Sequence, residues 1–402
     1  MRNIRMKRRN HSLQLIAIYA LFLGFWAALP APIQAHARNG GALKPDQSEL
    51  FPFLGLKTIE LPVSPGTRRC CLLGTNLKMF GIIPGKQTIE PTELGHHFYG
   101  NSKGEFNGNI ATCRAGFIDT AHVRYAADLV VKLALSIEAL GPQGGAIDLN
   151  AEAGRARLRI KPRLDASANT AEKVADLAGS VALDITIWHE IATWYDYSAV
   201  PLYTEKGSAF SPEDSFSNQL GIALGKRALK ISNQSRRPYE DVMTELLIKT
   251  LLTYGALPEA ETIRVLDALE LHKDRDYPSA QEAWFTPEHQ IPDYRRLLKR
   301  QLHLYGTVAP SLPPVKLLPQ SCAIEGFLDL PTPLLNQSQR WEEYQFEIKL
   351  KKGSTVFRGL KKKIRLLDQT QFPRLIEQAR REIGAEWLQP FLTGWTPTEE
   401  SH

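Results

Sequence analysis

The chain has 402 residues, 23% of them charged and 43% hydrophobic, so it can bury a full core and is neither a disordered nor a polytopic membrane sequence. Its formal net charge is +6, but Arg2, Arg5, Lys7, Arg8 and Arg9 come before any acidic residue. Removing residues 1–37 takes away five of the six charges and leaves +1, which excludes a nucleic-acid-binding protein held by bulk charge.

That removal is expected. A basic start runs into the apolar stretch 13–29, then Pro30 and Ala35-His36-Ala37, in the order of a cleavable secretory signal. The expectation is a periplasmic protein with no transmembrane span once the signal is gone. Export places Cys70, Cys71, Cys113 and Cys322 in an oxidising compartment. Adjacent cysteines bridge to each other only with strain, so Cys70 and Cys71 are expected to bond to Cys113 and Cys322.

Residues 38–69 are rich in Gly and Pro with short apolar runs, and 70–84 continue that style, which predicts irregular coil with a strand or two. From Gly116 the period changes. Phe117 to Leu140 reads as a long helix stopping at Gly141-Pro142, with Val123, Ala126, Ala127, Val130, Leu133, Ala134 and Ile137 as its buried stripe. Asp119 stands where an N-cap acid would. Residues 146–150 and 155–160 alternate around Ala-Glu-Ala-Gly and predict a hairpin.

The next stretch, 170–225, organises the rest. Val174, Leu177, Ala178, Val181, Ala182, Ile185, Trp188 and Ala192 recur at helical spacing. The last turn of that helix carries His189 and Glu190 between Trp188 and Trp194. A loop dense in hydroxyls and carboxylates follows, with Glu205, Ser208, Ser211, Glu213, Asp214, Ser215 and Ser217. A helix is predicted from Leu220, then a pair over 239–254 and 258–271 joined at Gly255, then a weaker one over 293–304 before a proline-rich break at 308–314. In the tail, residues 344–350 alternate strictly, turn at Lys352-Gly353 and return through 356–360; 372–388 reads as an amphipathic helix. Between Lys349 and Arg365 lie eight basic residues and no acid, a solvated face or a contact for anionic lipid or an envelope polymer.

The fold class expected is therefore α+β: a mainly helical central domain with an irregular, partly β N-terminal layer and a C-terminal hairpin plus helix. The expected organisation is a signal at 1–37, one globular domain over 38–310 and an extension over 311–402.

Three chemistries suit the polar residues. Asp119 and His122 lie three apart on one helix and share a face; His189 and Glu190 lie on another. If these helices are neighbours, His122, His189 and Glu190 are metal ligands of a zinc or two-metal hydrolytic centre, with Asp119 orienting an imidazole. The His-Glu-x-x-His spacing is absent, since Thr193 fills the second position. Cys113 as a nucleophile with His122 or His189 as base gives a thiol hydrolase, against which stands a disulfide at Cys113. Glu205, Glu213 or Asp214 as an acid/base pair gives glycan cleavage, with Trp188, Trp194, Tyr195 and Tyr197 available for stacking. Against that pair, Ser211-Pro212-Glu213-Asp214 reads more simply as a helix start.

Residues 69–74, 113–124 with Asp128, 188–195, 208–214 and Asn218 resemble an uncharacterised family of bacterial envelope proteins, catalogued as domain of unknown function number 4056. The resemblance covers 69–229 well and the rest loosely. It implies export and a shared domain, and it places Cys113, Asp119, His122, Arg124, His189, Glu190, Glu205 and Asp214 on the family's motif positions without assigning them a reaction. The leading expectation is a periplasmic, metal-dependent hydrolase acting on an envelope component. The competing class is a non-catalytic structural or binding protein in which the same residues form a buried network.

Overall fold

The computed structural model describes residues 48–56, 76–79, 83–86, 88–100, 104–163, 165, 169–195, 197, 206, 209–269, 304–305, 317–322, 341–353, 356 and 365–383. The signal segment, Cys70, Cys71, Glu205, Ser208, the expected helix at 293–304, the proline-rich break, strand residues 357–360 and the end of the last expected helix lie outside them.

Two short antiparallel pairs form the N-terminal layer. Strands β1 (Asn76–Met79) and β2 (Ile83–Lys86) make one; β3 (Asn109–Thr112) and β4 (Gly116–Asp119) make the other. Strand β4 runs straight into helix α1 (Thr120–Leu140), so the helix starts three residues later than its apolar period predicted. The reason is local. Gly116 has φ +66° in the β3–β4 turn, and Asp119, extended at φ −85°, caps the helix through Oδ1, which accepts from Ala121 N at 2.7 Å and His122 N at 3.3 Å. At the far end Gly141 takes φ +64° and stops it, as Gly-Pro predicts.

Every residue of α1 from Thr120 to Val131 is buried, so this helix is enclosed on all sides. Two partners enclose it: α2 (Ala171–Trp194), capped by Thr170, and α3 (Asp214–Ser235). Helix α3 begins six residues before the predicted Leu220, because its first turns are polar but buried: Asp214, Ser215, Ser217, Asn218 and Gln219 have no apolar period to betray them. It lies unusually close to α1. A Cβ built at Gly221 would stand 2.3 Å from Val123 O, and one at Gly225 would stand 2.7 Å from Ala127 O. Two missing side chains, four residues apart, let the backbones meet. Helices α4 (Tyr239–Thr253) and α5 (Glu259–Ala268) follow as the expected pair, turning at Gly255 with φ +69°.

The expected hairpin is present as β5 (Gly145–Ala151) and β6 (Gly154–Ile160). The tail joins it rather than forming a sheet of its own. Strand β7 (Tyr344–Leu350) pairs antiparallel with β6, and β8 (Leu366–Asp368) pairs with β7, giving a four-stranded sheet in order β5-β6-β7-β8. Within the described residues the partner after the Lys352-Gly353 turn is therefore 366–368, ten residues beyond the predicted return. Ala156, Leu158, Ile160, Tyr344, Phe346 and Ile348 are buried on the inner face. Helix α6 (Phe372–Ile383) packs on α2, with Phe372 stacked on Trp188 at 5.8 Å between ring centroids. Asp184 of α2 fastens the two layers by accepting from Tyr344 OH, Tyr305 OH and Trp341 Nε1. The architecture is α+β with a helical centre, as the sequence implied.

The disulfide expectation is corrected. Cys113 bonds to Cys322, because the segment 317–322 lies against β3, α5 and the Gly255 turn; Cys322 is buried there with Ala111, Phe117, Leu257 and Val265. Among the described residues no helix is long and apolar enough to cross a membrane.

Candidate metal centre

The close approach of α1 and α3 decides the site. Asp214 and Asn218 lie two turns and one turn before Gly221 on α3, and so face the start of α1. There Asp119, His122 and Asp214 each offer one donor atom, all within 4.8 Å of one another, and all three residues are at most 1% exposed. Asn218 Oδ1 lies 3.0 Å from His122 Nδ1. An amide oxygen can only accept, so the ring donates from Nδ1, and its Nε2 faces Asp214 Oδ1, 3.4 Å away. An imidazole whose second nitrogen is tied by an outer partner is the arrangement metal-binding histidines use.

Two further carboxylates are buried beside these. Glu190, on the last turn of α2, accepts from Phe210 N at 2.6 Å through Oε2, while its Oε1 is buried with no hydrogen-bond partner among the described residues. Phe210 holds φ +56°, a left-handed conformation strained for a non-glycine residue, and that strain aims its amide at the carboxylate. Glu213 accepts from Ser211 Oγ at 2.5 Å through Oε2, and its Oε1 is likewise unpartnered. Burial, with the charges of Asp119 and Glu190, pushes the Glu213 carboxyl up to about 8. Glu213 is the N-cap residue of α3 but makes no side-chain cap bond. A helix does start at Ser211-Pro212-Glu213-Asp214, as that motif predicts, but Glu213 rather than Ser211 holds the N-cap position, and both acids turn inward.

His189 stands at the edge. Its ring centroid is 6.1 Å from that of His122, so the two imidazoles are neighbours. Its Nδ1 lies 2.8 Å from Glu152 Oε1, and its side chain is 13% exposed where the acids are closed off. Glu152 sits on the β5–β6 turn, where Ala153 takes φ +62°, and its carbonyl accepts from Trp188 Nε1 at 3.2 Å. Tyr125 is buried nearby, and burial together with the Glu152 charge keeps its phenol well above the ordinary range, hence neutral.

Several expectations change here. The trio with donor atoms in mutual reach is Asp119, His122 and Asp214, not His122, His189 and Glu190, because side chains of consecutive helical residues diverge. Asp119 caps α1 and joins the trio; Asn218 and Glu152 orient the imidazoles. Cys113 is in the disulfide, so its sulfur is not available as a nucleophile. Arg124 turns away, donating from Nη2 to Leu94 O at 2.8 Å and Gly95 O at 3.1 Å. It belongs to a separate buried network in which His97 Nε2 meets Asp128 Oδ1 at 2.8 Å and Tyr239 OH donates to the same oxygen at 3.0 Å. Trp188 and Trp194 are core residues rather than a sugar platform. Sequence reasoning missed Glu152 and Asn218. The first looked like a turn residue, and the second carried part of the family resemblance without being given a role.

The donor set fits a divalent cation. One imidazole and two carboxylates suit zinc or manganese.

The family described as protein of unknown function (DUF4056) matches residues 58–314, well over half of the chain, so the chain belongs to that family. No curated protein and no solved structure matches it.

Proposed function

We propose that this member of the DUF4056 family is an exported, metal-dependent hydrolase that acts on a component of the cell envelope. Its cation is held by Asp119, His122 and Asp214. The observation that carries the reading is the donor trio itself: three side chains from the β4–α1 junction and the start of α3, buried, with donor atoms within 4.8 Å of one another. The export signal and the oxidised Cys113–Cys322 pair support the compartment.

A divalent cation there would polarise the substrate and lower the pKa of an attacking water toward neutrality. The protein's own groups do the rest. A carboxylate accepts, so His189 donates Nδ1–H to Glu152 and keeps Nε2 as the proton acceptor. His189 Nε2 takes the proton from the attacking water, and returns it to the leaving group when the bond breaks. Being the partly exposed member of the cluster, it also marks the side from which substrate enters. Glu152 holds the ring and stabilises its protonated form. Asn218 fixes His122, and the Phe210 amide fixes Glu190.

The competing reading, a buried structural network, is favoured by one observation: the same fold uses Asp128 and Asp184 as multi-donor fasteners. Metal analysis of protein purified without chelator separates the two. The hydrolase reading expects stoichiometric zinc or manganese, lost in His122→Ala and Asp214→Asn. Metal-free protein whose thermal midpoint ignores added zinc and manganese would overturn it.

A further inference from the structure

The trio accounts for one cation, but it leaves two acids unexplained. Glu190 and Glu213 are 2% and 0% exposed, and each has one oxygen fixed by the loop between α2 and α3, through Phe210 N and Ser211 Oγ. Each has its other oxygen, Oε1, buried without a hydrogen-bond partner among the described residues. An acid kept only for structure would have both oxygens satisfied, since an unpaired buried acceptor costs about 1–3 kcal/mol. Here the same omission occurs twice, on acids anchored by the consecutive residues Phe210 and Ser211 and next to the trio in the chain: Glu213 is bonded in sequence to Asp214, and Ser217 of the same helix turn accepts from Asp119 N at 3.0 Å.

The geometry points to a second cation site, adjoining the first, with Glu190 Oε1 and Glu213 Oε1 as ligands and the protein as the scaffold of a two-metal centre. The inference rests on the proposed metal site and adds to it. Two cations about 3.5–4 Å apart would straddle the attacking and departing oxygens of a hydrolysed ester or phosphoester, a class of substrate that a single cation handles less well. The loop residues then have a purpose. Phe210 accepts left-handed strain, and Ser211 donates to Glu213, so that each carboxylate presents its remaining oxygen to the ion. A single shared proton is the alternative for Glu213, and it leaves Glu190 Oε1 without a partner.

The test is metal stoichiometry on the full chain. Chelator-stripped protein is titrated with Mn²⁺ and followed by calorimetry and by electron paramagnetic resonance. Two equivalents with an exchange-coupled signal are expected. Glu190→Gln and Glu213→Gln, which keep side-chain volume, are expected to bind one equivalent with an uncoupled signal, and His122→Ala to weaken the coupled pair. One equivalent in the wild type overturns the second site and leaves the trio intact. No binding overturns both. A second equivalent that persists unchanged in Glu190→Gln and Glu213→Gln places it elsewhere on the surface and also overturns the inference. The wild-type count and spectrum decide the matter even if a variant fails to fold.

Discussion

Glu152 Oε1 lies 2.8 Å from His189 Nδ1, so the tip of a β-hairpin reaches the last turn of a helix 37 residues further along the chain. Sheet and helical bundle are built separately, and this contact brings them to one pocket. Replacing Glu152 by Gln keeps the shape but removes the charge that supports a protonated ring. Turnover is expected to fall by about 10²-fold, with the acidic limb of the pH–rate profile displaced to lower pH, while thermal stability changes little. His189→Ala gives the companion measurement. A loss of about 1–3 kcal/mol with no effect on hydrolysis would instead mark the pair as a fastener.

The α1–α3 contact is tested at glycine. In an exposed helix interior, Gly→Ala gains about 1 kcal/mol. At Gly221 the new methyl would lie 2.3 Å from Val123 O and 2.9 Å from Ala126 Cβ. Overpacking costs about 1–3 kcal/mol, so the net sign reverses. Gly221→Ala is expected to lower stability in urea and to weaken metal binding, since Asp214 and Asn218 move with the helix. Unchanged stability would mean that the two backbones do not meet there.

Stability of the metal-free protein should fall as pH rises. The Glu213 carboxyl is at about 8 in the folded chain against 4.5 when unfolded, so between those values the folded state holds the extra proton. Its contribution is complete below about pH 4.5 and is lost on the way to about 8, by at most roughly 5 kcal/mol from the shift alone. A bound cation replaces that proton. Saturating zinc is therefore expected to raise the thermal midpoint more at pH 8 than at pH 5. A metal effect independent of pH would mean that Glu213 does not share the pocket with the ion.

The Cys113–Cys322 bond closes a sequence separation of 209 residues. Loop-closure entropy gives an upper bound of about 5 kcal/mol for a loop of that length. Cys322→Ser is expected to lower the unfolding free energy by several kcal/mol, and Cys113→Ser to keep hydrolysis at temperatures below its reduced midpoint. Abolished turnover in a folded Cys113→Ser protein would restore the thiol mechanism.

Much of this was legible in the chain. The apolar periods of 123–137 and 174–192 define α1 and α2, because a helix that must be buried has to carry an apolar stripe wherever it is seen from the core. Alternation over 146–160 and 344–350 defines strands for the same reason. The N-cap at Asp119 and the stop at Gly141 follow from local hydrogen bonds and backbone sterics. His189 and Glu190 stood out as polar groups in the last turn of an apolar helix, Asp119 and His122 through their spacing, and Asp214 in the polar loop that follows.

What the sequence alone could not decide was which of them meet. His122 has Asn218 and Asp214 as neighbours 96 and 92 positions away, and His189 has Glu152, because α1 and α3 approach at Gly221 and Gly225 and the β5–β6 turn folds over the end of α2. The first turns of α3 showed only in the Ser211-Pro212-Glu213-Asp214 start motif, since buried polar residues leave no period, and the tail's place in the sheet depends on pairing across nearly two hundred residues. Local patterns reflect burial, which each segment encodes for itself. Partnership between distant side chains is set by how closely backbones pack, and that is a property of the assembled core.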